Sequence, residues 1–359
     1  MDRRLVIDGR VIDDDADCYV IAEVGHNHQG SLETARQLIS QAAACGADAV
    51  KLQKRSNRTL FTRELFDKPY EHRNSFGETY GQHREFLEFG REEFLALREH
   101  AATCGITLFA TAFDVESADF LAELDMPAYK IASADVTNPP LISHVASLGK
   151  PVILSTGGAL MRDVERAYET IAAINPQVAV LQCTSGYPSE WEELDLRVIA
   201  TYRERFPRAV AGLSAHDSGI AMALVAYTLG ARIVEKHFTL NRAMRGTDHA
   251  FSLEPVGLRK MVRDLRRARL ALGSAEKRQH GSERAPMAKM VKTMVAARDL
   301  PAGHVLTPGD LAARCCGRPG LPPTRQEELL GRALARPVAA DAPVTLEDLA
   351  DHSAERPAP

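Results

Sequence analysis

The chain has 359 residues and a formal net charge of −4, with 44 Lys and Arg set against 48 Asp and Glu along its whole length. A nucleic-acid or polyanion binder carries a clustered basic excess, so this balance argues for a small-molecule partner and against nucleic acid. No uncharged apolar stretch reaches the roughly 18 residues that a bilayer span needs, and the opening MDRRLVIDGRVIDDD has no apolar core, so no membrane association and a cytoplasmic location are expected.

Eight short apolar runs follow one another: YVIAEVG (19–25), DAVKLQK (48–54), ITLFATA (106–112), AYKIAS (128–133), PVILSTG (151–157), VAVLQCTS (178–185), AVAGLSAH (209–216) and RIVEKHF (232–238). Seven of the eight are followed by a segment with helical periodicity. In the first unit Ser31 is the expected N-cap and Gly46 the expected stop, with Leu32, Ala35, Leu38, Ile39, Ala42 and Ala43 recurring at helical spacing between them. The second connection is longer, about forty residues, and only its end, REEFLALREHAATC, reads as a helix. It is rich in Arg, Lys, Tyr and His, which suits either a lid over an anionic or hydroxylated substrate or a solvated surface excursion. Later helices end at Gly149 with Pro151, and at Gly230. The eighth helix, about 254–272, carries RKMVRDLRRARLALG, read as a solvated outer face.

Eight strand–helix units in about 250 residues predict an α/β fold, a (β/α)8 TIM barrel over 1–272. A polar, breaker-rich linker is expected over 273–290. A small β-rich domain follows over 291–350, with short pieces in KTMVAARDL, GHVLT and RALARPVAA, and then a disordered tail over 351–359. Cys18, Cys45, Cys104, Cys183, Cys315 and Cys316 lack C-x-x-C pairs and are read as reduced and structural.

A barrel of this kind does its chemistry at the C-terminal ends of its strands. The groups predicted to converge there are Glu23, Lys51, Gln53, Thr111, Lys130, Ser133, Ser155, Thr156, Thr184, Ser185, Ser214, His216, Glu235, Lys236 and His237. His216 and His237, on neighbouring strands, suit either an open divalent-ion site or hydrogen-bond donation. Lys51, Lys130 and Lys236 with the hydroxyls suit a phosphate and a carboxylate, and a lysine Schiff base is the rival chemistry. Glu23 is a candidate acid or base.

The stretches AEVGHNHQG (22–30), GADAVKLQK (46–54), KIASAD (130–135), ILSTGG (153–158), LQCTSGYP (181–188), GLSAHDSGIA (212–221), EKHFTL (235–240) and GTDHAFSLEP (246–255) resemble the sialic acid synthase family. RPGLPP (318–323) and LGRALARPVAADAPVTLEDL (330–349) resemble its antifreeze-like, or SAF, domain. The resemblance covers about residues 19–349, and the long second loop is similar to that of the animal-type members. It implies condensation of phosphoenolpyruvate with the open-chain aldehyde of an aldose or N-acylated hexosamine, giving a nine-carbon 2-keto-3-deoxy acid and phosphate. By the resemblance, Lys51, Thr111, Lys130, Ser133, Ser155, Ser185 and Ser214 hold phosphoenolpyruvate. His216 and His237 bind Mn2+, with Mg2+ or Co2+ as alternatives, and Glu23 handles protons. Gln53, Asn74, Asp135, Tyr187, Asp248 and Arg318 hold the sugar, Arg318 reaching the site of a second subunit in a homodimer. Plainer readings make Asn74 a loop residue, Tyr187 a packing group and Arg318 a surface arginine. The family's S-G-[DE], S-T-G-M and S-[DG]-H-[TE] are Ser133-Ala134-Asp135, STGG and SAHD here, which bears on the acceptor more than on the reaction. Two other readings are a lysine Schiff-base aldolase acting on pyruvate and a non-catalytic glycan-binding protein.

Overall fold

A computed structural model describes residues 3–350; the tail expected to be disordered, 351–359, lies outside the described residues. The chain divides after Gly273 into two compact units.

The first unit opens with an antiparallel hairpin, β1 (Arg4–Ile7) and β2 (Arg10–Asp13), which the apolar-run pattern did not anticipate. Asp8 and Gly9 form its two-residue turn, both at positive φ, a backbone in which an Asp-Gly pair costs little. The expected runs then form β3 (Tyr19–Gly25), β4 (Ala49–Lys54), β5 (Thr107–Ala112), β6 (Tyr129–Ile131), β7 (Val152–Ser155), β8 (Val178–Cys183), β9 (Val210–Ala215) and β10 (Ile233–His237). They close into a parallel barrel in the order β10-β3-β4-β5-β6-β7-β8-β9.

Side chains alternate across each strand. One set, Tyr19, Ile21, Ala49, Phe109, Ala128, Ile153, Ala179, Leu181, Val210 and Ile233, fills the barrel interior together with Leu5, Ile7 and Ile12 of the hairpin, which therefore plugs the N-terminal end. The other set, including Val20, Ala22, Val50 and Leu52, packs outward on helices such as Leu32–Ala44, whose Ala35, Leu38, Ile39 and Ala42 are fully buried. That helix is capped by Ser31 as expected, its hydroxyl accepting from Thr34 N–H, and Gly46 at φ +84° lies just past its end. The eighth outer helix is Pro255–Leu272.

The second connection is more ordered than its sequence suggests. It contains short helices at Asn57–Leu60 and Arg63–Phe66, and a third, Tyr80–Leu87, started by a Thr79/Gln82 capping box, before the expected helix Arg91–Cys104. The Phe66 ring packs directly on Gly81, where an added Cβ would lie 2.4 Å from ring carbons.

In the second unit the expected linker is partly helical, with Arg284–Met290 inside it. KTMVAARDL supplies β11 (Thr293–Ala296), which pairs with β12 (Leu311–Arg314); GHVLT and RALARPVAA contribute single bridges, Val305 to Ala333 and Leu300 to Val338. An internal repeat organises this unit. Asp310 accepts from Thr307 N–H and hydroxyl and from Arg298, and Asp348 accepts in the same way from Thr345 and Arg336.

Candidate active site at the barrel mouth

Above the apolar layers the interior turns polar. Glu23, Lys51, Thr111, Lys130, Ser155, Ser214 and Glu235 project inward near the C-terminal strand ends and are all buried. Inward projection follows from the alternation that puts Ile21, Ala49, Phe109, Ala128, Ile153, Gly212 and Ile233 one pleat below them. Lys51 Nζ stands 2.7 Å from Glu23 Oε2 and donates to the Thr111 hydroxyl at 2.8 Å. Gln53 Nε2 donates to the other Glu23 oxygen at 2.8 Å. Ser214 donates to Glu235 Oε1 at 3.0 Å, and that oxygen is 3.8 Å from Lys51 Nζ and 3.7 Å from Lys130 Nζ.

Burial has different results for the two carboxyls. It raises the pKa of Glu23 above the usual range, against the pull of Lys51. Burial also opposes the charge of Glu235, but Lys130 and Lys51 outweigh it and hold that carboxyl down to about 2. Burial lowers Lys130. One side of the mouth thus holds a carboxyl whose pKa is raised and the other one that is firmly charged.

Beside the lysines lies a small cradle. Gly157 N–H donates to Ser133 Oγ at 2.9 Å, and a Cβ at Gly157 would sit 2.2 Å from Ser185 Oγ and 3.1 Å from both Cys183 Sγ and Ser133 Oγ. Ser155 Oγ is buried without a hydrogen-bond partner. The bare Gly157 lets the Ser133 and Ser185 hydroxyls and the Cys183 thiol close up around it, and these hydroxyls, the unpartnered Ser155 hydroxyl and the two lysines of the mouth are of the kinds that bind a phosphate or carboxylate.

The His216 and His237 rings lie with centroids 5.3 Å apart, flanked by Tyr187 and Phe251. His216 Nδ1 is 2.8 Å from the Thr184 carbonyl, which can only accept, so Nδ1 carries a proton and the ring is oriented by this bond. His237 Nδ1 is buried without a partner, 3.6 Å from Asp248 Oδ2, and burial lowers the pKa of this imidazole, favouring its neutral form. Two adjacent imidazoles fit a divalent cation, although no group of three or more His, Cys, Asp or Glu suited to a metal occurs among the described residues.

Asn74 and Asp248 approach the mouth together, because Asn74 Oδ1 accepts from Gly246 N–H at 3.4 Å and so ties the second loop to the segment carrying Asp248. Asp135 ends a short 3-10 turn, Ser133–Asp135, and accepts from Asn138; burial raises its pKa. Ala134 lies inside that turn and is not among the residues with positive φ, so its backbone makes no demand for glycine. Tyr187 is exposed. Arg318 belongs to the second unit, where it is exposed and reaches the Asp341 carbonyl at 3.5 Å.

Lys236 is a correction. It alternates with inward Glu235 and His237 and therefore points out of the barrel, where Nζ bonds Asp217. The mouth holds two lysines, not three. Asp217, one of the departures from the family pattern, thus meets Lys236 rather than the acceptor side.

A group that the strand-end pattern did not single out lies next to these residues. Arg55 Nη1 is 3.2 Å from His26 Nε2, Arg84 Nη1 is 3.4 Å from His26 Nδ1, and the Arg55 guanidinium stacks 3.6 Å over Phe113. Lys54 pairs with Glu88 at 3.4 Å. Burial, reinforced by Arg84, brings Arg55 down to about 10. Glu88 is the close carboxylate for Lys54 and Arg55, and Asp248 acts on both guanidiniums from farther away.

Buried lysines, carboxylates and hydroxyls gathered at the C-terminal mouth of a (β/α)8 barrel define a small-molecule enzyme site. The NeuB family profile matches residues 38–277 and the SAF domain profile residues 291–350, so the chain belongs to the NeuB family. It is 36% identical to the N-acetylneuraminate-9-phosphate synthase of Homo sapiens, over 97% of each chain. It is 35% identical to the N,N'-diacetyllegionaminic acid synthase of Campylobacter jejuni, over 87% of this chain and 94% of that one. Among solved structures it resembles the N-acetylneuraminic acid synthetase of Leptospira borgpetersenii in complex with citrate, with a TM-score of 0.70 and 32% identity, over 80% of this chain and 96% of that one.

Proposed function

We propose that this chain condenses phosphoenolpyruvate with the open-chain aldehyde of an N-acylated hexosamine, forming a nine-carbon 2-keto-3-deoxy acid and releasing phosphate. The observation that carries the reading is the cradle around Gly157, with Lys51 and Lys130 beside it, in a chain of the NeuB family. Lys51, Thr111, Lys130, Ser133, Ser155, Ser185 and Ser214 bind the phosphate and carboxylate of phosphoenolpyruvate. C3 of the enol phosphate attacks the aldehyde carbon, whose oxygen takes up a proton; positive charge develops at C2, water adds there with loss of a proton, and the C2–O bond to phosphate breaks to leave the ketone. Glu23, whose pKa is raised by burial, exchanges protons with the aldehyde oxygen or the water. Glu235 stays anionic, counters the two lysines and stabilises charge near C2.

His216 and His237 would hold a divalent ion, Mn2+ first, with Mg2+ or Co2+ as alternatives; when bound it supplies a Lewis acid for the acceptor's carbonyl oxygen. Gln53, Asn74, Asp135, Tyr187 and Asp248 orient acceptor hydroxyls. Arg318 of the partner subunit reaches the acyl group in a homodimer. The Arg55 and Arg84 guanidiniums favour an acceptor with a 6-phosphate. No helix among the described residues is long and apolar enough to cross a membrane, and the enzyme works in the cytoplasm.

Phosphate release from phosphoenolpyruvate by chelator-stripped protein, with and without Mn2+, tests the reading with N-acetylmannosamine, its 6-phosphate and mannose offered in parallel. Metal-dependent release with the 6-phosphate is the expected result. Borohydride trapping of a pyruvate adduct without phosphate release would overturn it in favour of the Schiff-base aldolase. Binding of sugars with neither reaction would favour a non-catalytic glycan-binding protein.

A further inference from the structure

On the outer side of the barrel wall, Lys236 Nζ donates to Asp217 Oδ1 at 2.8 Å and to the Asp217 carbonyl at 2.6 Å, and both side chains are buried. Nothing in the proposed reaction uses this pair. Its place in the chain is specific: Asp217 directly follows His216, and Lys236 directly precedes His237.

The two histidines are anchored differently. His237 pairs with Glu23 across β10 and β3, and Phe238 N–H donates to the Glu23 carbonyl at 2.8 Å. His216 lies one residue beyond the end of β9, and the ladder between β9 and β10 runs out where Lys236 pairs with Ala215. His216 is held from the other side, by the Thr184 carbonyl and by Ser189 N–H on its own carbonyl. The contact that ties the His216 segment to the His237 strand past the end of the ladder is therefore the Lys236–Asp217 pair. It grips Asp217 at both backbone and side chain, which fixes an orientation as well as a distance.

We propose that Lys236 and Asp217 form a positioning strut that sets the spacing of the His216 and His237 imidazoles and thereby the affinity and coordination geometry of the divalent-ion site. This rests on the metal role given above to the two histidines. A buried ion pair is a weak source of net stability, and the use expected of it here is to select one arrangement. Groups that orient metal ligands from outside typically contribute 10- to 100-fold in affinity.

The test uses full-length, metal-stripped protein titrated with Co2+, read by its visible d–d absorption, and with Mn2+, read by the loss of the free-ion EPR signal. Removing one partner leaves a buried charge, so the decisive variant is Lys236→Met/Asp217→Ala, which removes both. Binding weaker by about tenfold or more, with an altered Co2+ spectrum on a folded protein, is expected. Lys236→Arg, which keeps a buried cation within reach of Asp217, is expected to stay within about threefold of the parent. A folded double variant with unchanged affinity and spectrum overturns the strut. Should the double variant not fold, Asp217→Glu, which lengthens the strut by one methylene, decides in its place: a shifted Co2+ spectrum supports the strut and an unchanged one overturns it. A parent Co2+ signal that survives His216→Ala shows instead that the metal assignment itself is wrong.

Discussion

The Lys51 ammonium stands between Glu23 Oε2, at 2.7 Å, and the Thr111 hydroxyl, at 2.8 Å, so one cation links three adjacent strands of the barrel just below the mouth. In the proposed reaction the pair has two uses: it aims Nζ, and it keeps Glu23 within reach of a reacting oxygen. Glu23→Gln retains the shape and the acceptor for Gln53 but not proton exchange. Its kcat is expected to fall by about a hundredfold or more, a larger effect than the rise in phosphoenolpyruvate KM that a less firmly aimed Lys51 brings. Steady-state kinetics at saturating acceptor checks this. A large KM change with kcat preserved would make Glu23 a substrate anchor.

The cradle makes a steric prediction. At Gly157 a methyl would lie 2.2 Å from Ser185 Oγ, so Gly157→Ala must displace the hydroxyls proposed to hold the anion. The phosphoenolpyruvate KM is expected to rise about tenfold or more, roughly 1.4 kcal/mol of binding, with acceptor KM nearly unchanged. Gly158 differs: it sits at φ +73° with nothing near its Cβ position, so Gly158→Ala is expected to lower the melting temperature through backbone strain without changing either KM.

The fold was legible because each inward strand end has a short apolar run before it, and seven of the eight runs are followed by a segment with helical periodicity. Three things were harder to read. The hairpin was signalled by Asp8-Gly9 between LVI and VI, a local turn signal outside the strand–helix repeat. Lys236 was assigned to the mouth by position alone, although alternation about Glu235 and His237 turns it outward. The Arg55–His26–Arg84 group lies in segments after two different strands and comes together only because the second loop folds back through Phe66 on Gly81 and Asn74 on Gly246. No short-range spacing encodes such a meeting. The short helices of that loop depend on the same packing, which is why periodicity did not reveal them.

Acceptor choice follows from that group. If Arg55 and Arg84 receive a 6-phosphate, Arg55→Met is expected to reduce kcat/KM for N-acetylmannosamine 6-phosphate by about a hundredfold and that for N-acetylmannosamine by less than about threefold, because a charge-assisted hydrogen bond is lost for one substrate alone. Equal losses with both substrates would assign Arg55 to the shape of the mouth instead.

The last prediction concerns acid. His28 is buried just past β3, stacked 4.1 Å from the Phe89 ring, with Nδ1 accepting from Gly30 N–H at 3.1 Å. Burial, helped by His26, pushes its pKa down to about 3. A histidine with a lowered pKa in the folded state binds fewer protons there than in the unfolded chain, where the ordinary value is about 6.5. Between those two values the unfolded state takes up the extra proton, so stability falls as the pH falls, by up to about 1.4 kcal/mol per pH unit from this residue alone. Above about 6.5 both states are neutral and the contribution is flat. His28→Gln removes the titration, although not the cost of lost stacking. The variant is expected to be less stable than the parent at pH 7.5 yet to lose less stability between pH 6.5 and 4.5, measured by urea unfolding at each pH. A parallel offset of the two curves across that range would show that His28 takes up its proton equally in both states, and the acid sensitivity would then have to come from the other buried imidazoles, His26 first among them.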